Sequence, residues 1–289
     1  MDRDDTSRKG GVMGSKERIR GLVSICMPAY NGGQFIRASL ASVLQQTYQN
    51  FEIIVTDDCS SDNTVDIVRS FSDPRIRLYL NEKNLGLVGN WNYCVSLARG
   101  EYIKLMGDDD LLMPITLEKQ ICGLDSERGI SFCIGANHVI DASDKVIMER
   151  RLYKGDRILD GTTFARKALR GRNIFGEPVN LMYRGSSYDQ IGEYDSSFCY
   201  SPDWDYGIRL AYTGKGYYCS AIISAFRISS SSETSRLHAR KQSLLADIDA
   251  LFEKHKALGK IRLSSFDRLY FRMKNRIYMV VRIVILSNK

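Results

Sequence analysis

Residues 22–63 read LVSICMPAYNGGQFIRASLASVLQQTYQNFEIIVTDDCSSDN and carry the clearest structural signal in the chain. Two short apolar runs, at 22–27 and 51–56, flank a segment at 34–46 whose apolar residues recur at helical spacing. Two strands joined through a helix are the unit of a parallel sheet, because parallel strands need a long crossover connection. This stretch therefore predicts an α/β fold.

The same alternation of strand and helix continues toward the C-terminus. Polar residues collect at the turns AYNGG, TDDCSSDN and MGDDD, each next to the carboxyl end of a predicted strand. In a doubly wound sheet that edge is where ligands bind. We predict a mostly parallel, doubly wound sheet flanked by helices. The further predicted strands cover 76–80, 102–106, 130–136 and 216–228, and the further helices cover 63–71, 88–98, 114–124, 161–170, 204–212 and 235–258.

The composition is that of an ordinary globular protein. Of the 289 residues, 44% are hydrophobic and 26% are charged, which suffices to bury a core. The seven cysteines are scattered without a C-x-x-C pair, a usage typical of reduced, buried thiols in the cytoplasm. The first twenty residues lack the apolar segment of a secretory signal, and no apolar run reaches the roughly 18 residues of a membrane span. We expect a flexible tail at 1–20, a main domain at 21–235 and helices at 236–289.

The net charge of +7 lies in the C-terminal segment. Residues 260–289 hold eight basic residues and one acidic residue, whereas the rest of the chain carries equal numbers of each. A neutral body, without aromatic residues between basic ones, argues against a nucleic-acid partner. Apolar residues of the segment recur at helical spacing. This pattern predicts either a helix on an anionic membrane, which would make the protein peripheral on the inner face of the cell membrane, or a helix packed on the main domain.

Asp108, Asp109 and Asp110 directly follow a predicted strand and precede Pro114. Three consecutive carboxylates repel one another, so this placement is unfavourable unless a cation or hydrogen-bond donors compensate. Mg²⁺ or Mn²⁺ would compensate, since either ion takes one or two protein carboxylates together with substrate phosphate oxygens. The alternative is a solvated acidic turn whose charge favours the start of the next helix.

A second acidic group, Asp57, Asp58 and Asp62, follows the neighbouring predicted strand. A carboxylate there would accept a hydrogen bond from a nucleobase N–H or contact a ribose hydroxyl. The alternative is a set of turn and helix-capping residues, in which Asp is common. Because both acidic groups follow strands of one sheet, we expect them to face the same crevice.

Several short motifs occur in a fixed order along the chain. They are Pro28-Ala29-Tyr30-Asn31, Asp57-Asp58-Cys59-Ser60-Ser61-Asp62, Asn84-Leu85-Gly86 with Asn90-Trp91-Asn92, Arg99-Gly100-Glu101-Tyr102, the aspartate triplet, and Asp203-Trp204-Asp205. The ordered set resembles the family 2 glycosyltransferases, which have the GT-A nucleotide-diphospho-sugar transferase fold. The resemblance spans about residues 21–228. It implies that 21–235 is a GT-A catalytic domain with a helical C-terminal appendage.

The resemblance also implies a role for each matching residue. Asp109 and Asp110 would hold Mn²⁺ or Mg²⁺, and Asp108 would contact the donor or a coordinated water. Asp203 would be the catalytic base on the acceptor side. The residues that would border the donor nucleotide are Pro28, Tyr30, Asp57, Asp58, Asn84, Gly86 and Asp108.

The sequence departs from the family pattern at three places. Gly107 and Asp108 stand where many relatives have Asp-Ser, which leaves open which acid binds the metal first. Pro202 stands where relatives often carry a Glu, so one carboxylate is missing from the acceptor side. Ser229 stands where some relatives place a His that completes the metal shell, and His238 is the only histidine nearby.

The resemblance implies an inverting glycosyltransferase that moves a sugar from a nucleotide-diphosphate donor to a hydroxyl acceptor. The acceptor would be a saccharide or a lipid-linked saccharide in bacterial polysaccharide and cell-envelope synthesis. The alternative is a catalytically silent nucleotide-sugar-binding protein. The presence of Pro202, where relatives often carry a Glu, would be consistent with this alternative. A nucleotidyltransferase is disfavoured, because AYNGGQ lacks a basic residue to hold phosphate. The aromatic residues between 183 and 204 would serve either sugar stacking or core packing.

Overall fold

The computed structural model describes residues 17–171, 173–228 and 241–287. At 241–245 and 277–287 it describes the backbone alone. Most of the tail expected at 1–20 lies outside these residues. The predicted domain boundary between 235 and 236 lies outside them as well, as do Ser229 and His238.

One sheet organises the described part of the chain. Its ten strands are β1 (Ile19–Ala29), β2 (Phe51–Asp57), β3 (Ile76–Leu80), β4 (Gly100–Leu105), β5 (Leu111–Leu112), β6 (Ile130–Ile140), β7 (Val146–Arg150), β8 (Arg157–Asp160), β9 (Met182–Arg184) and β10 (Lys215–Arg227). The strand order is β3-β2-β1-β4-β9-β6-β10-β5, with β7 paired to β6 and β8 paired to β10. All six predicted strands are present, and β5, β7, β8 and β9 are additional.

Helices cover both faces of the sheet. They are α1 (Ile36–Leu44), α2 (Thr64–Arg69), α3 (Gly86–Ser96), α4 (Thr116–Asp125), α5 (Gly161–Leu169), α6 (Gly185–Ile191), α7 (Pro202–Ala211), α8 (Lys241–Ala257) and α9 (Ser265–Ser287), with a 3₁₀ turn at Pro178–Asn180. Helices α1, α2 and α4 bury apolar residues against one face. Helices α3, α5, α6, α7, α8 and α9 bury theirs against the other face. The predicted flanking of a sheet by helices is confirmed.

The sheet is parallel only in part. Strands β1, β2, β3 and β4 are parallel neighbours, and β6 is parallel to β10. Strand β9 pairs antiparallel with both β4 and β6 and joins the two parallel groups, and β5, β7 and β8 also pair antiparallel. The prediction of a mostly parallel sheet therefore holds for the N-terminal half, whereas the whole sheet is mixed. Strands as short as β5 and β9 carry too few residues for an alternating pattern to show.

Register places the carboxyl ends of β1, β2 and β4 side by side. Ala29 pairs with Asp57, and Cys26 pairs with Leu105. The turn after each of these strands therefore opens on one edge of the sheet, where the predicted acidic groups lie.

The C-terminal helices pack on the main domain through a buried charged cluster. Asp205 of α7 has no exposed surface. Its carboxylate forms ion pairs with Arg209 Nε at 2.7 Å and with Lys254 Nζ at 2.7 Å, and it lies 3.1 Å from His255 Nε2. Burial alone would raise the pKa of Asp205, but the His255 hydrogen bond and the two positive charges outweigh it and lower the pKa. In the basic segment 260–289, Phe271 of α9 is buried in the core, so this part of the segment packs on the main domain, whereas Phe266, Leu269 and Met273 are exposed.

Asp205→Asn is expected to lower the free energy of unfolding by about 3 kcal/mol, because it leaves buried cationic groups without their counter-charge. Urea denaturation measures the change. Asp66→Asn, at an exposed position of α2, is the control and should change stability by less than about 0.5 kcal/mol. An Asp205→Asn protein as stable as the control would show that the cluster does not hold α8 in place.

None of the helices in the described ranges has a stretch both long and apolar enough to cross a bilayer. All seven cysteines are free, and four of them are buried as predicted. The other three, Cys59, Cys122 and Cys199, are exposed, so the expectation of buried thiols fails for them.

Candidate active site

A cavity of about 590 Å³ opens at the carboxyl ends of β1, β2 and β4, a volume in the range of small-molecule sites. Its wall is formed by the ends of these strands, the start of α3, the turn after β4 and the start of α7. It brings together nine of the ten predicted site residues. They are Pro28, Tyr30, Asp58, Asn84, Gly86, Asp108, Asp109, Asp110 and Asp203.

Asp57 is the predicted residue that the structure does not bring to this wall. Its side chain is buried, and one carboxylate oxygen accepts a hydrogen bond from the Ser60 N–H at 2.9 Å. The other oxygen has no hydrogen-bond partner in the described part of the chain. Asp57 therefore does not line the cavity, and its position does not support the predicted contact of Asp57 with the donor nucleotide.

Asp58 builds the turn that starts α3. One carboxylate oxygen accepts from Leu85 N at 2.7 Å, and the other accepts from Gly86 N at 3.0 Å. Asn84 Nδ2 donates to the Asp58 carbonyl at 2.9 Å. Gly86 has a φ of +73°, a conformation that glycine adopts most readily. Asp58, Asn84 and Gly86 thus form one hydrogen-bonded unit, in which Asp58 holds the other two on the cavity wall.

Gly32 lets the turn after β1 approach the triplet closely. Tyr30 N donates to Asp108 Oδ2 at 3.2 Å, and a Cβ on Gly32 would lie only 2.1 Å from that oxygen. Any larger residue at position 32 would displace the Asp108 carboxylate. Gly32 was not among the predicted site residues, although the sequence AYNGG predicts a turn.

The triplet leaves room for a cation beside Gly107. Asp109 Oδ1 and Asp110 Oδ2 lie 2.7 Å and 3.3 Å from the point that a Cβ on residue 107 would occupy. Glycine at this position therefore lets two carboxylates approach one point, where a side chain would separate them. Hard oxygen ligands of this kind suit Mg²⁺ or Mn²⁺. Within the described ranges no three metal-ligating side chains form a closed cage, so phosphate or water oxygens would have to complete such a site.

The electrostatics of the triplet also favour a cation. Withdrawal from bulk water raises the pKa of Asp109 to about 6. The same effect, together with the Asp109 charge, raises the pKa of Asp108 to about 8 and shifts the pKa of Asp110 upward. A divalent cation would reverse these shifts, since it favours the ionised carboxylates.

Arg227, at the end of β10, holds the triplet in place through hydrogen bonds to Asp109 and Asp110. Its side chain is 1% exposed, and its Nε donates to the Asp109 carbonyl at 2.7 Å. Its backbone N donates to Asp110 Oδ1 at 3.0 Å, and its guanidinium lies 4.5 Å from the centre of the Phe35 ring. It also pairs with Asp144 at 2.6 Å. The positive charge of Arg227 lowers the pKa of Asp109, against the effect of burial.

Asp203 lies in the first turn of α7. Pro202 occupies the first helical position, where proline is well tolerated, and Asp203 follows it on the cavity wall. Asp203 Oδ2 accepts a hydrogen bond from Asn173 Nδ2 at 2.8 Å. Withdrawal from water and the negative charge of Glu177 raise the pKa of Asp203 to about 7. Neither Asn173 nor Glu177 was predicted from the sequence.

The family model described as Glycosyl transferase family 2 matches residues 24–192, more than half of the chain. The chain belongs to glycosyl transferase family 2. The match includes the acidic turns and the triplet of this family 2 protein but ends before Asp203 and the C-terminal helices. The resemblance inferred from the ordered motifs is confirmed.

One relative of this family 2 protein is UDP-Glc:alpha-D-GlcNAc-diphosphoundecaprenol beta-1,3-glucosyltransferase WfgD from Escherichia coli. It is 44% identical over 120 residues, which cover 42% of this chain and 47% of WfgD. The matched region thus spans about half the length of that relative. Uncharacterized protein MT1568 from Mycobacterium tuberculosis (strain CDC 1551 / Oshkosh) is 31% identical over 234 residues, 78% of this chain and 72% of that protein.

Solved structures share the fold at low sequence identity. Staphylococcus aureus TarS 1-349 in complex with UDP-GlcNAc superposes with a TM-score of 0.63 at 16% identity, covering 80% of this chain and 70% of TarS. This similarity confirms the predicted GT-A fold.

Proposed function

We propose that this protein is a metal-dependent, inverting glycosyltransferase that transfers a sugar from a nucleotide-diphosphate donor to a hydroxyl acceptor. One observation carries the proposal: a single cavity presents the Asp108–Asp110 triplet, the Asp58-organised turn and Asp203. The first two provide a place for the donor, and the third provides a base. The relative WfgD, named for transfer from UDP-Glc to a diphosphoundecaprenol-linked sugar, supports an acceptor of the lipid-linked class in bacterial polysaccharide synthesis.

The donor side combines the turn at Asp58 with the triplet. The Asp58 carboxylate accepts hydrogen bonds from the Leu85 and Gly86 N–H groups and so holds Asn84 and Gly86 on the wall where the donor nucleoside would lie. Asp109 and Asp110 would hold Mn²⁺ or Mg²⁺, and the complex of the mannosyltransferase PcManGT from Pyrobaculum calidifontis with GDP-Man and Mn²⁺ supports this choice of ion. When bound, the ion would neutralise negative charge on the departing diphosphate.

The acceptor side depends on Asp203. Its carboxylate would accept the proton of the attacking hydroxyl as the bond to the anomeric carbon forms. Asn173 orients that carboxylate through the 2.8 Å hydrogen bond. With Asp203 as a base that activates the acceptor hydroxyl for direct attack, the reaction is a single displacement, which inverts the anomeric centre.

The alternative of a catalytically silent nucleotide-sugar-binding protein was based on Pro202, which stands where relatives often carry a Glu. The position of Asp203 disfavours this alternative, because Pro202 starts α7 without removing Asp203 from the cavity wall. A carboxylate with a pKa of about 7 also suits a general base near neutral pH.

The function is tested by thermal shift with a panel of UDP-, GDP- and dTDP-sugars in the presence and absence of Mn²⁺. A donor that raises the melting temperature only with Mn²⁺ is then assayed for transfer to a diphospholipid-linked N-acetylglucosamine acceptor. We expect one donor class to stabilise the protein and to yield a product of inverted configuration. Donor binding without transfer to any acceptor would favour the silent binding protein.

The activity should depend on pH through Asp203. Its pKa of about 7 means that the active, ionised form is lost as the pH falls. The ratio kcat/KM should therefore reach a plateau above pH about 7 and fall about tenfold per pH unit below it. The profile is measured at saturating Mn²⁺, which keeps the triplet ionised. A flat profile down to pH about 5 would contradict the assignment of Asp203 as the base.

We also infer that α9 attaches the protein peripherally to the inner face of the cell membrane. Phe266, Leu269 and Met273 share one face of α9 and are 74%, 65% and 50% exposed. On the opposite face Phe271 is buried in the core. An exposed apolar stripe on a basic helix suits the interface of an anionic bilayer.

A triple variant tests this attachment without removing the core residue Phe271. Phe266→Ser, Leu269→Ser and Met273→Ser together should abolish sedimentation with phosphatidylglycerol liposomes, whereas the unmodified protein should sediment with them and not with phosphatidylcholine. The matched control replaces three exposed apolar residues elsewhere, Leu80, Val146 and Met148, by Ser. Equal sedimentation of both triple variants, or none of the unmodified protein, would show that α9 does not attach the protein to a membrane.

A further inference from the structure

Lys104 is a fully buried lysine in β4, the strand that leads to the triplet. A lysine is almost never fully buried unless an acidic group pairs with it. Within the described ranges no carboxylate pairs with Lys104. Its Nζ donates instead to Gln120 Oε1 at 2.8 Å and to the Val179 carbonyl at 2.6 Å. The side chain is therefore held by two neutral acceptors.

The environment of Lys104 is unfavourable for a positive charge. Withdrawal from water lowers the pKa of Lys104 to about 7, although the acidic groups of Cys133 and Asp110 act in the opposite direction. A methionine, which has a side chain of similar length and no charge, would fill this space without that penalty. Packing alone thus does not account for a lysine at this position, whereas its hydrogen bonds do. Both hydrogen bonds persist on loss of the charge, because a neutral amine keeps two N–H groups.

The two acceptors of Lys104 belong to a buried network around the Pro178–Asn180 turn. Gln120, a fully buried residue of α4, donates through Nε2 to the Asn180 carbonyl at 3.0 Å. Lys104 holds the preceding carbonyl, that of Val179. Two successive carbonyls of the turn are therefore held by side chains from β4 and α4. Loss of either side chain would leave a buried carbonyl without this partner, which is unfavourable.

The turn carries two residues of the cavity wall, Glu177 and Pro178. The Asn180 N–H donates to the Glu177 carbonyl at 2.9 Å, and the Leu181 N–H donates to the Pro178 carbonyl at 3.0 Å. The Glu177 carboxylate pairs with Arg150 at 2.6 Å. The backbone of Glu177 therefore moves with the turn, while Arg150 holds the end of its side chain.

Glu177 acts on the proposed base, Asp203. Withdrawal from water contributes most to the raised pKa of Asp203, and the negative charge of Glu177 contributes next. The Asn173 hydrogen bond and backbone N–H groups act in the opposite direction. The distance between Glu177 and Asp203 thus influences the pH at which the base ionises.

We propose that Lys104 is a positioning residue of the active site, which holds the Pro178–Asn180 turn against β4 and so fixes Glu177 relative to Asp203. The proposal rests on the proposed function, because it concerns the base of that reaction. Lys104 does not line the cavity, so it acts through the turn and not through contact with substrate. The same link joins two parts of the site, since β4 leads directly to the triplet.

Hydrogen–deuterium exchange tests the link to the turn without relying on activity. Lys104→Met should speed exchange of the Asn180 and Leu181 amides, which close the turn, by about 3- to 10-fold, the range for one lost hydrogen bond. The amides of β2 serve as the internal reference and should exchange as in the unmodified protein. Mass spectrometry of peptides that cover residues 175–184 measures the difference.

The link to the base is tested by the pH profile of kcat/KM at saturating Mn²⁺. Glu177→Gln should move the midpoint below that of the unmodified protein, because removal of a negative charge favours ionised Asp203. Lys104→Met should move the midpoint in the same direction by about 0.5 pH unit. Adding Lys104→Met to Glu177→Gln should produce no further shift, since both changes act through the same charge.

Val68→Ala is the control for a general loss of packing. Val68 is buried in α2 and does not line the cavity, so its truncation should lower the melting temperature and leave both the turn amides and the midpoint unchanged. Gln120→Met repeats both measurements if Lys104→Met does not fold, since Gln120 contacts both Lys104 and the turn.

Unchanged exchange of the turn amides would overturn the role of Lys104, as would a midpoint that does not move or that shifts additively with Glu177→Gln. A flat pH profile of the unmodified protein would instead concern Asp203 as the base and thus the proposed function. The exchange measurement would still decide in that case whether Lys104 holds the turn.

Discussion

Asp109→Asn is expected to lower kcat/KM for sugar transfer by at least about 1000-fold. Carboxylate oxygens of Asp109 and Asp110 lie close together beside Gly107. Replacing the Asp109 carboxylate by a neutral amide would remove one of the two charged groups proposed to hold the ion. The neutral amide would also relieve the repulsion that raises the pKa of Asp108. The loss should therefore appear in metal-dependent steps and not in the stability of the fold.

Two measurements separate these effects. The affinity for UDP is measured by calorimetry with and without Mn²⁺, and the Asp109→Asn protein should lose the increase that Mn²⁺ gives to the unmodified protein. Its free energy of unfolding should be equal to or higher than that of the unmodified protein. Asp66→Asn on the exposed face of α2 is the control and should keep full activity. Retention of Mn²⁺-enhanced UDP binding by Asp109→Asn would show that the triplet does not hold the ion.

Asp203→Asn is expected to lower kcat by about 1000-fold, within the range for removal of a general base. An amide keeps the size of the side chain but cannot accept the proton of the acceptor hydroxyl. The affinity for UDP and Mn²⁺ should change by less than about twofold, because Asp203 is not one of the residues proposed to hold the donor or the ion. Single-turnover kinetics with saturating donor measure the first effect, and calorimetry measures the second.

Asp160→Asn is the control for Asp203→Asn, because Asp160 is exposed at the end of β8 and makes no side-chain cap on α5. A second check uses pH, since the residual activity of Asp203→Asn should no longer fall below neutral pH. Loss of donor affinity equal to that in Asp109→Asn would contradict the separate roles given to the two residues.

The N-terminal half of the site is readable from sequence because of the geometry of parallel strands. Turns that follow β1, β2 and β4 must open on one edge, so the acidic groups at 57–58 and 108–110 could be placed together. The sequence could not show which of Asp57 and Asp58 lines the cavity, because the side chains of neighbouring residues at a strand end point in opposite directions. In the structure Asp58 lines the cavity and Asp57 does not.

Arg227 stands out in the sequence although it was not among the predicted site residues. It is the one charged residue in the apolar run 216–228, and a charge within a buried strand needs a partner. The guanidinium pairs with Asp144 and donates to the Asp109 carbonyl, and both residues lie more than 80 residues earlier in the chain. The charge thus indicated that a partner exists, but no local pattern identified it.

Asn173 and Glu177 could not have been predicted. They lie in a stretch without strand or helix periodicity and reach Asp203 through tertiary packing alone. Sequence patterns describe the contacts within an element, whereas the acceptor side of this site is assembled from contacts between elements.

The proposed sugar transfer depends on the triplet binding a divalent ion together with a nucleotide diphosphate. Anomalous scattering from Mn²⁺ in crystals grown with UDP would locate that ion. We predict one strong peak about 2.1 Å from carboxylate oxygens of Asp109 or Asp110, with UDP phosphate oxygens completing the coordination. UDP bound in the cavity with no Mn²⁺ at these carboxylates, or Mn²⁺ bound elsewhere on the protein, would contradict this prediction.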